Sequence, residues 1–355
     1  MKRYLGIALC AVAAACEGRP TALPAGALGP RVGGHPTPVV YVAESCVPNA
    51  ASCAPADGLV RSLRGRTITA GVVHPIALAA GANGDLFVSN AVGSESGDVT
   101  VYSANGRLLR TLDGFRGRSY AMAVSHSGEL YVISNYKYRC CDIKGSVAAF
   151  APGGTRPVRH LTGVGSFPGK PAFDAYGNLY VPNFDNFPGY VGVYAPSRTA
   201  PFRTISQGIG FPLALAFDAR GRLYVLNIVF SGGYDVAVYA PGADAPSHTI
   251  EAGITNASAI ALDPDGNLYV ANRAEKGRLA NVTAYSPQSF APARRIFAGI
   301  ADPIALAFDA AGTLYVANAP VRGTSTVTAY APGSVKPLRV YPLAEQAAAL
   351  AVSHE

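Results

Sequence analysis

The chain has 355 residues, of which 49% are hydrophobic and 14% charged, with 39 glycines, 27 prolines, 19 tyrosines and no tryptophan. This mixture is expected of many short strands joined by tight turns. The formal charge of +7 is carried by Lys and Arg that do not cluster in runs, which argues against nucleic acid as a partner.

Met1-Lys2-Arg3 followed by the apolar run from Tyr4 to Ala15 reads as a secretory signal over residues 1–16, too short to span a bilayer. The small residues before Cys16 resemble a lipobox, so Cys16 is a lipidation candidate and plain cleavage near Ala15 the alternative. Residues 17–37, rich in Pro and Gly, read as a linker. No later segment is apolar enough to cross a membrane. The expectation is an exported protein, periplasmic, lipid-anchored or secreted, with the membrane reached only through that anchor.

From residue 38 to 355 one pattern recurs: an apolar strand, a tight turn, and a second strand with a central aromatic. The aromatics are Tyr41, Phe87, Tyr131, Tyr180, Tyr224, Tyr269 and Tyr315, spaced 46, 44, 49, 44, 45 and 46 residues apart. Gly84, Gly128, Gly177, Gly221, Gly266 and Gly312 each stand three residues before the aromatic, where a hairpin needs a left-handed residue. A third strand ending in Tyr-Ala-Pro or a variant and a fourth such as Phe202–Ile205 complete the unit. Four antiparallel strands per unit make a propeller blade. First strands are expected near residues 75, 119, 168, 212, 257, 303 and 347. The last has no partners after it, whereas Val39–Ala43 is a second strand with no first. The prediction is therefore an all-β, seven-bladed β-propeller whose ring closes by pairing the N-terminal strands with the C-terminal strand, expected to be a monomer.

Phe217-Asp218, Gly221, Leu223-Tyr224-Val225 and Asn227 make these hairpins resemble the NHL-type and SMP-30 (gluconolactonase)-like propellers. The blade count is similar to that of the streptogramin lyase group. These residues specify a blade rather than a chemistry.

Antiparallel pairing puts the residue leading into each first strand and the residue leaving each second strand on one face, with the longest loops. The departing residues Asn90, Asn135, Asn183, Asn227, Asn272 and Asn318 form a ring of amides, read first as loop caps and otherwise as ligand groups. The lead-in residues are His74, Arg118, Phe167, Phe211, Asn256, Asp302 and Gln346, a varied ring suited to specificity or to a solvated rim. Lys170 stands where the other blades have alanine. It is either a lysine snorkelling into the channel or an anion-binding or catalytic lysine partnered by Asp302. Tyr136, Lys137, Phe184, Phe187, Phe230, Tyr234 and Arg273 in the loops suit a glycan or an organic anion.

Cys46, Cys53, Cys140 and Cys141 are disulfide candidates in an exported chain. The hairpin aspartates Asp174, Asp218, Asp263 and Asp309 read as structural. No nucleophile elbow is present and the histidines are scattered, so serine-triad chemistry has no support. The leading expectation is a module that binds a small molecule, glycan or protein without catalysis and needs no cofactor. The rival is a lactonase, hydrolase or lyase using a divalent metal at the mouth, with Asp302 a possible ligand.

Overall fold

The computed structural model describes residues 39–45, 58–92, 96–138, 142–185, 187–275 and 277–353. The signal, the linker, Cys16 and the four disulfide candidates lie outside these residues. The described residues form seven sheets of four antiparallel strands, with no helix among them.

Blade 1 is the split one. The C-terminal strand Gln346–Ser353 pairs with Val39–Ser45, followed outward by Gly58–Ser62 and Thr67–Ile68. The innermost strands of blades 2 to 7 are Pro75–Ala80, Arg118–Val124, Ala172–Phe173, Phe211–Phe217, Ala257–Leu262 and Pro303–Phe308. The predicted closure is thus observed.

Second strands such as Leu86–Asn90 are buried at every residue, because each lies inside its sheet with a neighbouring blade on either face. They read as continuous apolar runs rather than as alternating ones. Burial is organised as seven apolar wedges, each filled by two adjacent blades. The hairpin glycines hold φ near +80°, from 77° at Gly221 to 83° at Gly128 and Gly266, a conformation that costs a residue with a Cβ.

Two side-chain arrangements recur at the turns, both of them in blades 4 to 7. In the hairpins, Asp218 Oδ1 accepts the backbone N–H groups of Arg220 and Arg222 at 2.9 Å each, and Asp174, Asp263 and Asp309 repeat the arrangement. At the end of the third strand, a tyrosine hydroxyl donates to a carbonyl in the segment entering the blade. The pairs are Tyr102 to Ala70, Tyr194 to Thr162, Tyr239 to Gln207, Tyr285 to Ala252 and Tyr330 to Ala298, at 2.6 to 3.0 Å.

Blade 4 departs from expectation. Its inner strand is only Ala172–Phe173 rather than a strand beginning near 168. Pro168 and Pro171 have no N–H to place in a ladder. Gly169 packs so closely that a Cβ would meet the Pro212 and Leu213 carbonyls at 3.0 Å. The segment therefore leans onto blade 5, where Lys170 N–H donates to Leu213 O at 3.3 Å and Lys170 bridges Ala214 in parallel.

Candidate ligand site at the channel mouth

Five of the departing asparagines stand three residues after the blade aromatic and lie folded under the loops, whereas Asn135 stands four after Tyr131 and the buried Ser134 takes that place in blade 3. Asn90, Asn183, Asn227, Asn272 and Asn318 are fully buried, and Asn135 is half-buried. Asn272 shows the pattern: its amide donates to Gly253 O at 3.2 Å, Asn281 Oδ1 at 3.0 Å and Thr283 Oγ1 at 3.2 Å, and its oxygen accepts Thr255 N–H at 2.9 Å. Asn90 and Asn318 do the same with Gly71 and Val73 and with Gly299 and Ala301. Each of the five buried amides clips the incoming segment onto its own blade. Asn272→Ala leaves several of these buried groups unpaired and is expected to cost about 2 kcal/mol, read as a lower urea midpoint with an unchanged slope.

The lead-in residues form the actual rim. In ring order they are Gln346, His74, Arg118, Phe167, Phe211, Asn256 and Asp302, all half-buried. His74, Asn256 and Asp302 hold φ of 43°, 40° and 56°, a left-handed conformation uncommon outside glycine and least so for these residue types. In blade 3 the turn is taken by Gly117, at φ 77°.

Asp302 is clamped by Arg273 of the preceding blade, with Nε to Oδ1 at 2.8 Å and Nη2 to Oδ2 at 2.6 Å. Arg273 directly follows a departing asparagine. The pairing of Asp302 with an arginine, rather than with Lys170, was not foreseen from the sequence. Beside it, Tyr234 donates to Asn256 Oδ1 at 3.3 Å and the Asn256 amide donates to Ala274 O at 3.3 Å. Burial, reinforced by the charge of Glu275 and opposed by Arg273, pushes the Tyr234 hydroxyl above its ordinary value.

On the neighbouring arc four phenylalanines form a continuous strip. Phe211 of the rim lies 4.1 Å from Phe184 between ring centroids, Phe184 is 6.0 Å from Phe187, and Phe187 is 5.2 Å from Phe230. The strip runs from the half-buried rim to solvent, where Phe187 is 40% and Phe230 84% exposed. Phe167 is joined to Phe184 by reciprocal backbone hydrogen bonds of 3.0 and 3.2 Å. Outside Phe167 lies a cleft of about 270 Å³ lined by Asp142, Ile143, Lys144, Ser166 and Asp185.

No family model matches the sequence, and no curated protein matches it either. Solved structures do. A candidate 6-phosphogluconolactonase from Bacteroides fragilis aligns over 91% of this chain and 99% of its own, with a TM-score of 0.67 and 14% identity. A candidate 6-phosphogluconolactonase from Bacteroides uniformis aligns over 88% and 99%, with a TM-score of 0.64 and 16% identity. Hydrazine synthase of Kuenenia stuttgartiensis aligns over 72% and 76%, with a TM-score of 0.60 and 19% identity. At these identities the likeness is one of fold.

Proposed function

We propose that the chain is an exported ligand-binding propeller whose site is the mouth of its loop-rich face. The observation that carries this reading is the phenylalanine strip. Four rings in contact, rising from the rim to an 84% exposed Phe230, offer a contiguous apolar surface rather than scattered single residues, and aromatic surfaces dominate binding energetics where they are covered. Polar groups that could orient a ligand stand next to it at Asn256 and Tyr234. The test is equilibrium binding of a neutral aromatic alcohol, 2-naphthalenemethanol, and of cellohexaose, with Phe187→Ala and Phe230→Ala variants. Exposed side chains of this kind change stability by about 0.5 kcal/mol or less, whereas binding should weaken tenfold or more. If neither probe binds, or the variants bind as well as the parent, the reading is wrong.

A second reading, a lactone hydrolase at the same mouth, is supported by the description of the two Bacteroides neighbours. The residues present do not fit a divalent ion. Both Asp302 oxygens are held by Arg273, and no group of three or more His, Cys, Asp or Glu among the described residues could hold a metal. A rise in melting temperature with calcium, magnesium, manganese or zinc would favour this second reading.

A further inference from the structure

We propose that the mouth selects an organic anion with a planar apolar body, of which an aromatic carboxylate is the simplest, and that Arg118 is the group that recognises its charge. This deepens the ligand-binding reading and rests on it.

Among the described residues, Arg61, Arg110, Arg159, Arg203, Arg222 and Arg273 are half-buried, and each has a carboxylate within 3.6 Å, on Glu44, Asp85, Glu129, Asp244, Asp218 and Asp302 respectively. Half-buried Arg294 donates to the Gly333 carbonyl at 2.6 Å and lies over the Tyr269 ring. Arg118 is also half-buried, yet none of the ion pairs or side-chain hydrogen bonds of the described residues involves it. Partial burial without a counter-charge is costly for a guanidinium, whose planar fork of donors matches a carboxylate bidentately.

Its position says what else the ligand carries. In ring order Arg118 has His74 on one side and Phe167 and then Phe211 on the other. A charged group at Arg118 thus places the remainder of a molecule over Phe167 and Phe211, whose ring is backed by Phe184. His74 makes no hydrogen bond through its side chain among the described residues, and its backbone is left-handed. The carboxylate of the opposite arc, Asp302, is already neutralised by Arg273, so it adds no net charge to repel an anion. Lys144 borders Phe167 from the cleft side. Of the two cleft carboxylates, Asp185 accepts the Ser166 N–H through Oδ1 at 2.5 Å, and Asp142 shares the cleft with Lys144.

The experiment is calorimetric titration of the whole protein with 2-naphthoate, 2-naphthalenemethanol, acetate and inorganic phosphate, repeated with Arg118→Gln. The expected result is that naphthoate binds at least tenfold more tightly than the alcohol, that this preference disappears in Arg118→Gln, and that acetate and phosphate bind more weakly than naphthoate. Added salt should erode the preference. An alcohol that binds as tightly as naphthoate overturns the inference while leaving the aromatic site standing. A preference that survives Arg118→Gln overturns it too, and phosphate binding as tightly as naphthoate shows an anion site without the apolar half. Binding of none of the four removes both readings. Should the variant fail to fold, the comparison of naphthoate with the alcohol on the parent protein decides.

Discussion

Truncation after Glu345 is expected to abolish the cooperative melting transition altogether. Residues Gln346–Ser353 are the inner strand of blade 1, and Val39–Ser45 has no other partner on that side. The strand also fills two apolar wedges: Ala347, Leu350 and Val352 face blade 7, while Ala348, Ala349 and Ala351 face blade 2. Without it the ring has an open edge, and two of the seven wedges lose a wall. A point substitution tests the same closure more finely. The fully buried Glu44 carboxylate takes Arg61 Nε on one oxygen at 2.8 Å and the N–H groups of Ala344 and Glu345 on the other at 2.7 and 3.0 Å. This latch joins segments 300 residues apart just before the closing strand begins. Glu44→Ala leaves Arg61 and two N–H donors without their acceptor and should cost about 3 kcal/mol. Both effects are read by thermal and urea unfolding monitored by circular dichroism. A truncated chain that melts cooperatively near the parent temperature would show that the ring does not depend on this strand.

The architecture was legible because each blade repeats the same local demands. A left-handed glycine, an aspartate capping the hairpin and a buried aromatic recur at one period, and the missing strand at one end is present at the other. What the period could not show is what covers a side chain. Five of the departing asparagines hold one place in the blade, where the incoming loops fold over them and leave them fully buried, while the extra residue of blade 3 puts Asn135 one step beyond that place. Lys170 was aligned without a gap across Pro168 and Pro171, and those prolines move its segment onto blade 5. The Arg273–Asp302 clamp and the phenylalanine strip were hidden because their members come from different blades, and the Glu44 latch because it joins the two ends of the split blade. No spacing rule links Phe184 to Phe211 or Glu44 to Ala344. The isolation of Arg118 is likewise a property of the ring, because it shows only after every other half-buried arginine has been given its partner.

Alkaline titration should unfold the protein between about pH 10 and pH 12. Tyr180, Tyr224, Tyr269 and Tyr315 are pushed up to about 12, first by burial and next by the charge of Asp174, Asp218, Asp263 and Asp309. Tyr224 and Tyr315 donate to Asp218 and Asp309 at 3.4 and 3.2 Å, so a phenolate there would face a carboxylate. The third-strand tyrosines Tyr194, Tyr239, Tyr285 and Tyr330 are raised further by burial, and once ionised they cannot donate to the carbonyls they hold. The sign follows from linkage. A folded-state value above the unfolded value of about 10 means that the unfolded chain loses its proton first. The stabilisation is therefore complete below pH 10 and is lost as pH rises towards 12. Each tyrosine contributes on the order of 1 kcal/mol per pH unit, less where solvent reaches the hydroxyl. Several acting together exceed the margin of roughly 5 to 15 kcal/mol typical of a folded domain. With 19 tyrosines and no tryptophan in the chain, tyrosinate absorbance reports the event directly. It should lag behind that of free tyrosine and then rise in one cooperative step together with loss of the strand signal in circular dichroism. A gradual rise centred near pH 10 with the fold intact would mean that these hydroxyls do not hold the blades together.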